Sequence, residues 1–334
     1  AAQILSIIES YGVHFERGIG SWDAFDKFLP VVAKQVERNE RVRLLLPGFP
    51  FKSPNSKDLV LGTMPDLGEE LALAHLNGLC ENISTVYGQG AEVQICSDGV
   101  VYNDLVGVPD ETVWDYGEAL REVAVRNGLH NITFIRLSDL LDHPGHHYDG
   151  RESAKAYYAQ HVPRIRRELV YRYGDPDFDV ELAIKSDKDV ALTYSTCDAV
   201  LTKDLAGNDR NQSMFPEAVA QSMLIRGKAH GTALQANRRD FIRLSIHDSV
   251  GKGKLSVSLI PHERGSIGLM PWRSSVAIDA DGSYRTVYPD DVRDTHDLIR
   301  KNGQPYFFRI KSDLFDWSSS GLAPSISNIF TLAV

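Results

Sequence analysis

Hydrophobic and polar positions follow two alternating periods along the first half of the chain. Residues 41–46, Arg-Val-Arg-Leu-Leu-Leu, form a short apolar run closed by Pro47 and Gly48, which predicts a buried strand. Residues 66–87 carry apolar side chains at helical spacing behind an acidic first turn of Asp66, Glu69 and Glu70, which suits the positive end of a helix. A second strand is predicted over 91–96 and broken by Asp98-Gly99. A second helix covers 109–127 with Gly128 as its stop, and a third strand covers 131–137. Strands alternating with helices predict an α/β protein with a Rossmann-like doubly wound sheet.

The pattern changes twice further on. Residues 151–173 and 177–205 read as charged helices, behind a turn-rich loop over 142–150 that marks a candidate boundary. From residue 241 the alternation has period two: 241–247, 254–260 and 274–279 read as strands. Asp281-Gly282 predicts a hairpin turn into a further strand over 284–287. There is no internal repeat and no low-complexity linker. The chain therefore reads as one domain over 1–334: a Rossmann-like core over about 40–150, a helical segment over 151–225, and a mixed or antiparallel part over 226–334 that completes the site.

Composition narrows the function. A net charge of -9 argues against general nucleic-acid binding, which needs a basic surface to neutralise phosphates. No apolar run approaches the roughly 20 residues that span a bilayer. Cys80, Cys96 and Cys197 are too scattered for a disulfide framework or a structural zinc site, and the first two sit in apolar surroundings as expected buried thiols. No basic, apolar leader opens the chain, so a cytoplasmic protein is expected. The absence of an initial methionine suggests excision from a longer protein.

Within this acidic chain, positive and protonatable groups concentrate over 226–240. If 226–231 is extended, Arg226, Lys228 and His230 project to one side, with Gly227, Ala229 and Gly231 allowing close backbone approach to an anionic ligand. The same residues also fit a solvated basic helix end. The loop 46–55 follows the first strand, where open α/β sheets bind ligands, and offers Lys52, Ser53 and Asn55 as donors. Asp98, at the end of the second strand, sits at the same edge and suits a base, an amine ligand or an Asx turn.

Other chemistries fit less well. Gly88-Gln-Gly90 precedes a strand instead of following one, so it makes no dinucleotide fingerprint. His143, His146 and His147 cluster in a polar loop, while His247-Asp248 and His262-Glu263 lack the separation of a facial triad. Ser266 lacks half of a nucleophile elbow. What remains is a metal-free site for a small anionic substrate, with lysine or histidine suited to carbonyl chemistry.

Four segments carry a family resemblance: Leu-Pro-Gly-Phe-Pro-Phe-Lys-Ser-Pro-Asn over 46–55, Met-Pro-Asp-Leu-Gly-Glu-Glu-Leu-Ala-Leu over 64–73, Ile-Cys-Ser-Asp-Gly over 95–99 followed by Tyr102-Asn-Asp104, and Pro-Trp-Arg-Ser-Ser over 271–275. In that order they resemble the isocyanide (isonitrile) synthases of the pyoverdine and dityrosine biosynthesis type, most nearly the fungal branch. The resemblance runs from Val42 to Val287. It implies a Rossmann-like fold and the condensation of an L-amino acid with ribulose 5-phosphate as co-substrate. The product is an α-isocyano acid whose isocyano carbon is the former ketose carbonyl. No nicotinamide, flavin or metal is implied, and fusion to an oxygenase or peptide-synthetase-like module is compatible with it.

On this resemblance Lys52 and Ser53 with Arg238 and Arg239 are expected to grip phosphate, and Arg226 the amino-acid carboxylate. Asp98 would orient or deprotonate the amine, with Lys228 and His230 as a proton shuttle. Trp272 is expected to line the side-chain pocket or to be buried structurally. Histidine is common after Pro-Trp in this family, whereas here Arg273 follows Trp272. A permanent guanidinium cannot act as a base, so this position binds an anion, reflects another substrate, or is not catalytic.

Overall fold

The computed structural model describes residues 1–12, 23–97, 99–143, 149–206, 215–247, 253–260 and 268–311. Two helices, α1 (Ala2–Ser10) and α2 (Asp23–Glu37), lead into β1 (Val42–Gly48), α3 (Leu67–Val86) and β2 (Ala91–Ser97). The one-turn α4 (Gly99–Tyr102), the long α5 (Asp110–Arg126), β3 (Ile132–Ile135) and the one-turn α6 (Leu137–Leu140) follow. The helical segment comprises α7 (Arg151–Tyr173), α8 (Val180–Ser186), α9 (Lys188–Leu205) and α10 (Pro216–Asn237). Then come β4 (Ile242–Ser245), β5 (Leu255–Ser256), β6 (Ser275–Ile278), β7 (Tyr284–Val287), the single turn α11 (Pro289–Val292), β8 (His296–Lys301) and β9 (Gln304–Ile310).

The first five strands form a parallel sheet in the order β3-β2-β1-β4-β5. That order reverses direction between β1 and β4, the topological switch point at which doubly wound sheets open a crevice beyond their carboxyl ends. Strand alternation sorts the core into two faces. Leu44, Leu46, Val93 and Ile95 pack with Leu73, Leu76 and Leu79 of α3 and Leu120 of α5. Leu45, Cys96 and Ile135 pack with Val162 and Ile165 of α7 and Ala229 and Ala233 of α10. Both faces are covered, which is why β1 reads as a continuous apolar run instead of an alternating one.

A second sheet, ordered β7-β6-β9-β8, mixes antiparallel and parallel pairs. It rests on the start of α3, where Leu67 and Leu71 meet Val276, Ile278, Tyr306 and Phe307. The first turn of α3 therefore lies between the two sheets.

The structure departs from the sequence reading at three places. Residues 226–231 are not extended but lie inside α10, which starts with Pro216 in its first turn. Its buried side is built from Ala220, Leu224, Ala229, Ala233 and Leu234. Gly227 serves close packing, because a Cβ there would stand 3.1 Å from the Tyr102 hydroxyl. The strand expected over 254–260 pairs only at Leu255–Ser256, and the β8–β9 hairpin was not anticipated.

Candidate active site

At the carboxyl edge of β1 the chain leaves the sheet through residues whose polar groups point inward. Phe49 holds a left-handed backbone (φ 54) although it is bulky and buried, a conformation that costs roughly 1–3 kcal/mol. Its ring packs on Trp272, 5.2 Å between centroids. The next loop residues are fixed by distant parts of the chain. Ser97 Oγ donates to the Phe49 carbonyl at 3.2 Å, and the Ser53 amide donates to the Trp272 carbonyl at 2.8 Å. A Cβ on Gly99 would stand 2.2 Å from the Pro50 carbonyl oxygen, so only glycine lets the two strand exits lie this close.

Lys52 lies at the centre, with its side chain wholly buried. Its ammonium donates to Asp66 Oδ2 at 2.8 Å and to the Pro271 carbonyl at 2.9 Å, and lies 2.9 Å from Glu69 Oε2. These three contacts account for the three N–H donors of a lysine ammonium. Asp66 caps α3 by accepting from the Gly68 amide at 2.8 Å, while Glu69 accepts from the Asp66 amide at 2.9 Å, a capping box. Tyr116 from α5 donates to Glu69 Oε1 at 2.9 Å. The two carboxylates hold Lys52 above the usual lysine range, outweighing the effect of its burial. Burial raises Asp66 to about 7, aided by Glu69 and opposed by Lys52.

A second cluster adjoins it. Ser53 Oγ donates to Asp204 Oδ1 at 2.6 Å, and Arg273 Nε reaches both Asp204 oxygens at 3.2 Å. Arg273 also donates to the Val200 carbonyl at 2.8 Å, and Asn55 Nδ2 to the Lys203 carbonyl at 2.9 Å. The last turn of α9 is thereby tied to the β1 loop and to the 3₁₀ turn Pro271–Arg273. Arg273 is an ion-pair partner here, consistent with a residue that cannot act as a base.

The other sequence candidates separate. Arg226 makes a bidentate pair with Asp104 at 2.6 and 3.1 Å, and Lys228 pairs with Asp175 at 2.7 Å and stands over the Phe178 ring. His230 turns into the core, where its Nε2 lies 3.6 Å from Cys96 Sγ. Burial pushes it down to about 3, which leaves it neutral at pH 7. On the helix Arg226 and His230, four residues apart, share a face while Lys228 turns to the opposite side, so the three form no common strip. Arg238 donates to Gln94 Oε1 and Arg239 to the Ala236 carbonyl. Both precede the amino end of β4, opposite the edge that carries Lys52 and Ser53, so the four residues form no single phosphate grip. Asp98, His146, His147, Asp248, His262, Glu263 and Ser266 lie outside the described residues. His143 pairs with Glu168 at 3.0 Å. Among the described residues no three His, Cys, Asp or Glu side chains converge on a possible metal position, and no helix is long and apolar enough to cross a membrane.

Parallel strand order and helices on both faces define a Rossmann-like α/β protein, and comparison with known proteins gives the family. A sequence model of the pyoverdine/dityrosine biosynthesis proteins matches residues 32–299, and the chain belongs to that family. It is 55% identical over 96% of its length to isocyanide synthase xanB of Aspergillus fumigatus, covering 43% of that protein. It is 32% identical over 82% of its length to L-tryptophan isonitrile synthase AmbI2 of Fischerella ambigua, covering 79% of that protein. The crystal structure of PvcA from Pseudomonas aeruginosa superposes with a TM-score of 0.80 at 26% identity, covering 93% of this chain and 99% of that one. The chain thus spans less than half the length of its fungal relative.

Proposed function

We propose that this chain is an isocyanide synthase domain. It converts the amino group of an L-amino acid to an isocyano group, with ribulose 5-phosphate as the carbon donor and no nicotinamide, flavin or metal. The observation that carries the reading is the convergence of four sequence segments at one edge of the sheet. Lys52 from the first bonds Asp66 of the second and Pro271 of the fourth. Ser97 and Gly99 of the third abut Phe49 and Pro50 of the first. The relatives named isocyanide synthase and isonitrile synthase support the reaction class and an amino-acid substrate.

The reaction makes successive demands. The substrate ammonium loses a proton so that nitrogen can attack the ketose carbonyl, a hydroxyl then leaves as water to give an imine, and the sugar skeleton fragments. Charge-assisted contacts of roughly 1.5–3 kcal/mol each would hold the anionic substrates. In the proposed site Lys52 positions the two carboxylates of α3. Ser53, Asn55, Trp272 and Arg273 build the adjoining wall. The greater length of the fungal relative supports a fused further domain.

The test is incubation with ribulose 5-phosphate and a pool of L-amino acids, with a tetrazine probe to trap isocyanides for mass spectrometry. A trapped adduct is expected and names the amino acid. No adduct, from folded protein that binds the sugar phosphate, would favour a binding module instead.

A further inference from the structure

The mixed sheet has two faces, and only one of them rests against the site already described. Val276, Ile278 and Phe307 face the start of α3. Their strand neighbours Ala277 and Phe308 face the other way with Val287 and Val292, and Leu61 and Leu298 pack against them. On that far face a cleft of about 470 Å³ opens between the sheet, α11 and the loop that leaves β1. Its volume suits a small organic ligand. Val60, Leu61, Leu298 and Phe308 supply apolar lining.

The charge of the cleft is opposite to that of the chain. Arg293, Arg300 and Lys311 line it with one carboxylate, Asp297, in a protein of net charge -9. Lys311 donates to the Asp294 carbonyl at 2.8 Å and Arg300 to the Gly303 carbonyl at 3.2 Å. Neither has a carboxylate partner among the described residues, so both keep donors for a ligand. Arg293 pairs with Asp290 at 3.1 Å. His296 is engaged by Thr295 at 2.8 Å and Asp279 at 3.3 Å. The strand register orders these groups. The Lys311 amide bonds the Thr295 carbonyl, Leu298 lies opposite Phe308, and Arg300 lies opposite Pro305. Arg293 and Lys311 thus mark one end, the apolar floor the middle, and Arg300 the far end, about 13 Å along β8.

We propose that this cleft is a second ligand site, for a monocarboxylate carrying an aromatic body. The carboxylate lies between Lys311 and Arg293, the ring on Leu298 and Phe308, and the Arg300 guanidinium meets the ring from the far end. A sugar phosphate suits the cations but not the floor, where its hydroxyls would face apolar side chains without partners. The cleft shares one loop with the first site. Ser56, Val60 and Leu61 line it, and Arg293 donates to the Lys57 carbonyl at 2.8 Å. Asn55 accepts from the Asp58 amide at 3.1 Å and donates to the Lys203 carbonyl beside the first site. An occupant therefore stiffens 56–61, which is continuous with Lys52 and Ser53. On the isocyanide synthase reading the product is itself a carboxylate, so its use here would be feedback. Binding does not depend on that reading.

The experiment titrates the intact chain with 3-phenylpropionate by calorimetry, with 3-phenylpropionamide and inorganic phosphate as comparisons, and follows amide exchange of 56–61. The acid should bind more tightly than either comparison. Lys311→Gln should weaken it about five- to tenfold and Arg300→Gln about threefold. The acid should slow exchange over 56–61 in the unaltered chain and not in Lys311→Gln. Both side chains reach solvent and lie outside the first site, so isocyanide formation without the probe should stay unchanged in both variants. Equal binding of phosphate or of the amide, affinity unchanged in both variants, or unaltered exchange over 56–61 at saturation would overturn the proposal. A protein that binds the acid as expected but makes no isocyanide would overturn only the functional reading.

Discussion

Lys52 shows how one buried charge fixes a neighbourhood. Its three partners come from the β1 loop's two flanking elements, α3 and the 271–273 turn. Replacing it with methionine preserves volume but leaves Asp66 and Glu69 facing each other without a cation. Loss of one partner from a buried pair costs about 3–5 kcal/mol, so denaturant unfolding of Lys52→Met should show a loss of that size. A loss below about 1 kcal/mol would place the ammonium in contact with water instead. His75 presents the opposite case. Among the described residues neither of its ring nitrogens has a hydrogen-bond partner, and its ring packs 4.5 Å from Tyr11. Burial pushes it down to about 4. Below about pH 6.5 the unfolded chain binds a proton that folded His75 refuses, so stability falls with falling pH until about 4. His75→Phe should raise stability by about 1–2 kcal/mol at neutral pH and flatten the acid decline. Urea melts near neutrality and at about pH 4.5 measure both effects.

Elements were legible where hydrophobic period and turn chemistry agreed. The apolar run of β1 and the acidic first turn of α3 both fall where the spacing placed them. The stretch 226–231 was not, because alternating small and charged residues imitate a strand, and the signal against it lay ten residues earlier at Pro216. The β8–β9 hairpin carried its own sign, Asn302-Gly303, both with positive φ. In the site, Lys52, Ser53, Asn55, Trp272 and Arg273 were visible as a polar loop and a motif. Asp66 and Glu69 lay inside the 64–73 segment but were not read as site residues, since acids in a first helical turn read equally well as dipole partners, and Tyr116 was not singled out at all. Nothing in sequence pairs Tyr116 with Glu69, because that contact depends on the packing of α5 on α3. The tie between α9 and the site is likewise tertiary. Asp204→Ala removes the acceptor of both Ser53 and Arg273. Charge-assisted bonds of about 1.5–3 kcal/mol should translate into at least about tenfold faster amide exchange in the last turn of α9, with β1 unchanged. Unaltered exchange in α9 would show that its packing on α10 alone holds it.

At the scale of the whole molecule, the parallel sheet supplies an edge and the mixed sheet supplies a wall, with the start of α3 between them. Neither unit alone contains Lys52, Asp66 and Pro271. The proposed reaction moves a ketose carbonyl carbon onto an amine at this junction. It is tested most directly by supplying ribulose 5-phosphate with heavy carbon at the carbonyl position and following the mass of the tetrazine-trapped product. The heavy carbon should appear in the isocyano group, attached to the nitrogen of the amino acid supplied. An isocyanide without the label, or label retained in an unfragmented imine, would contradict it.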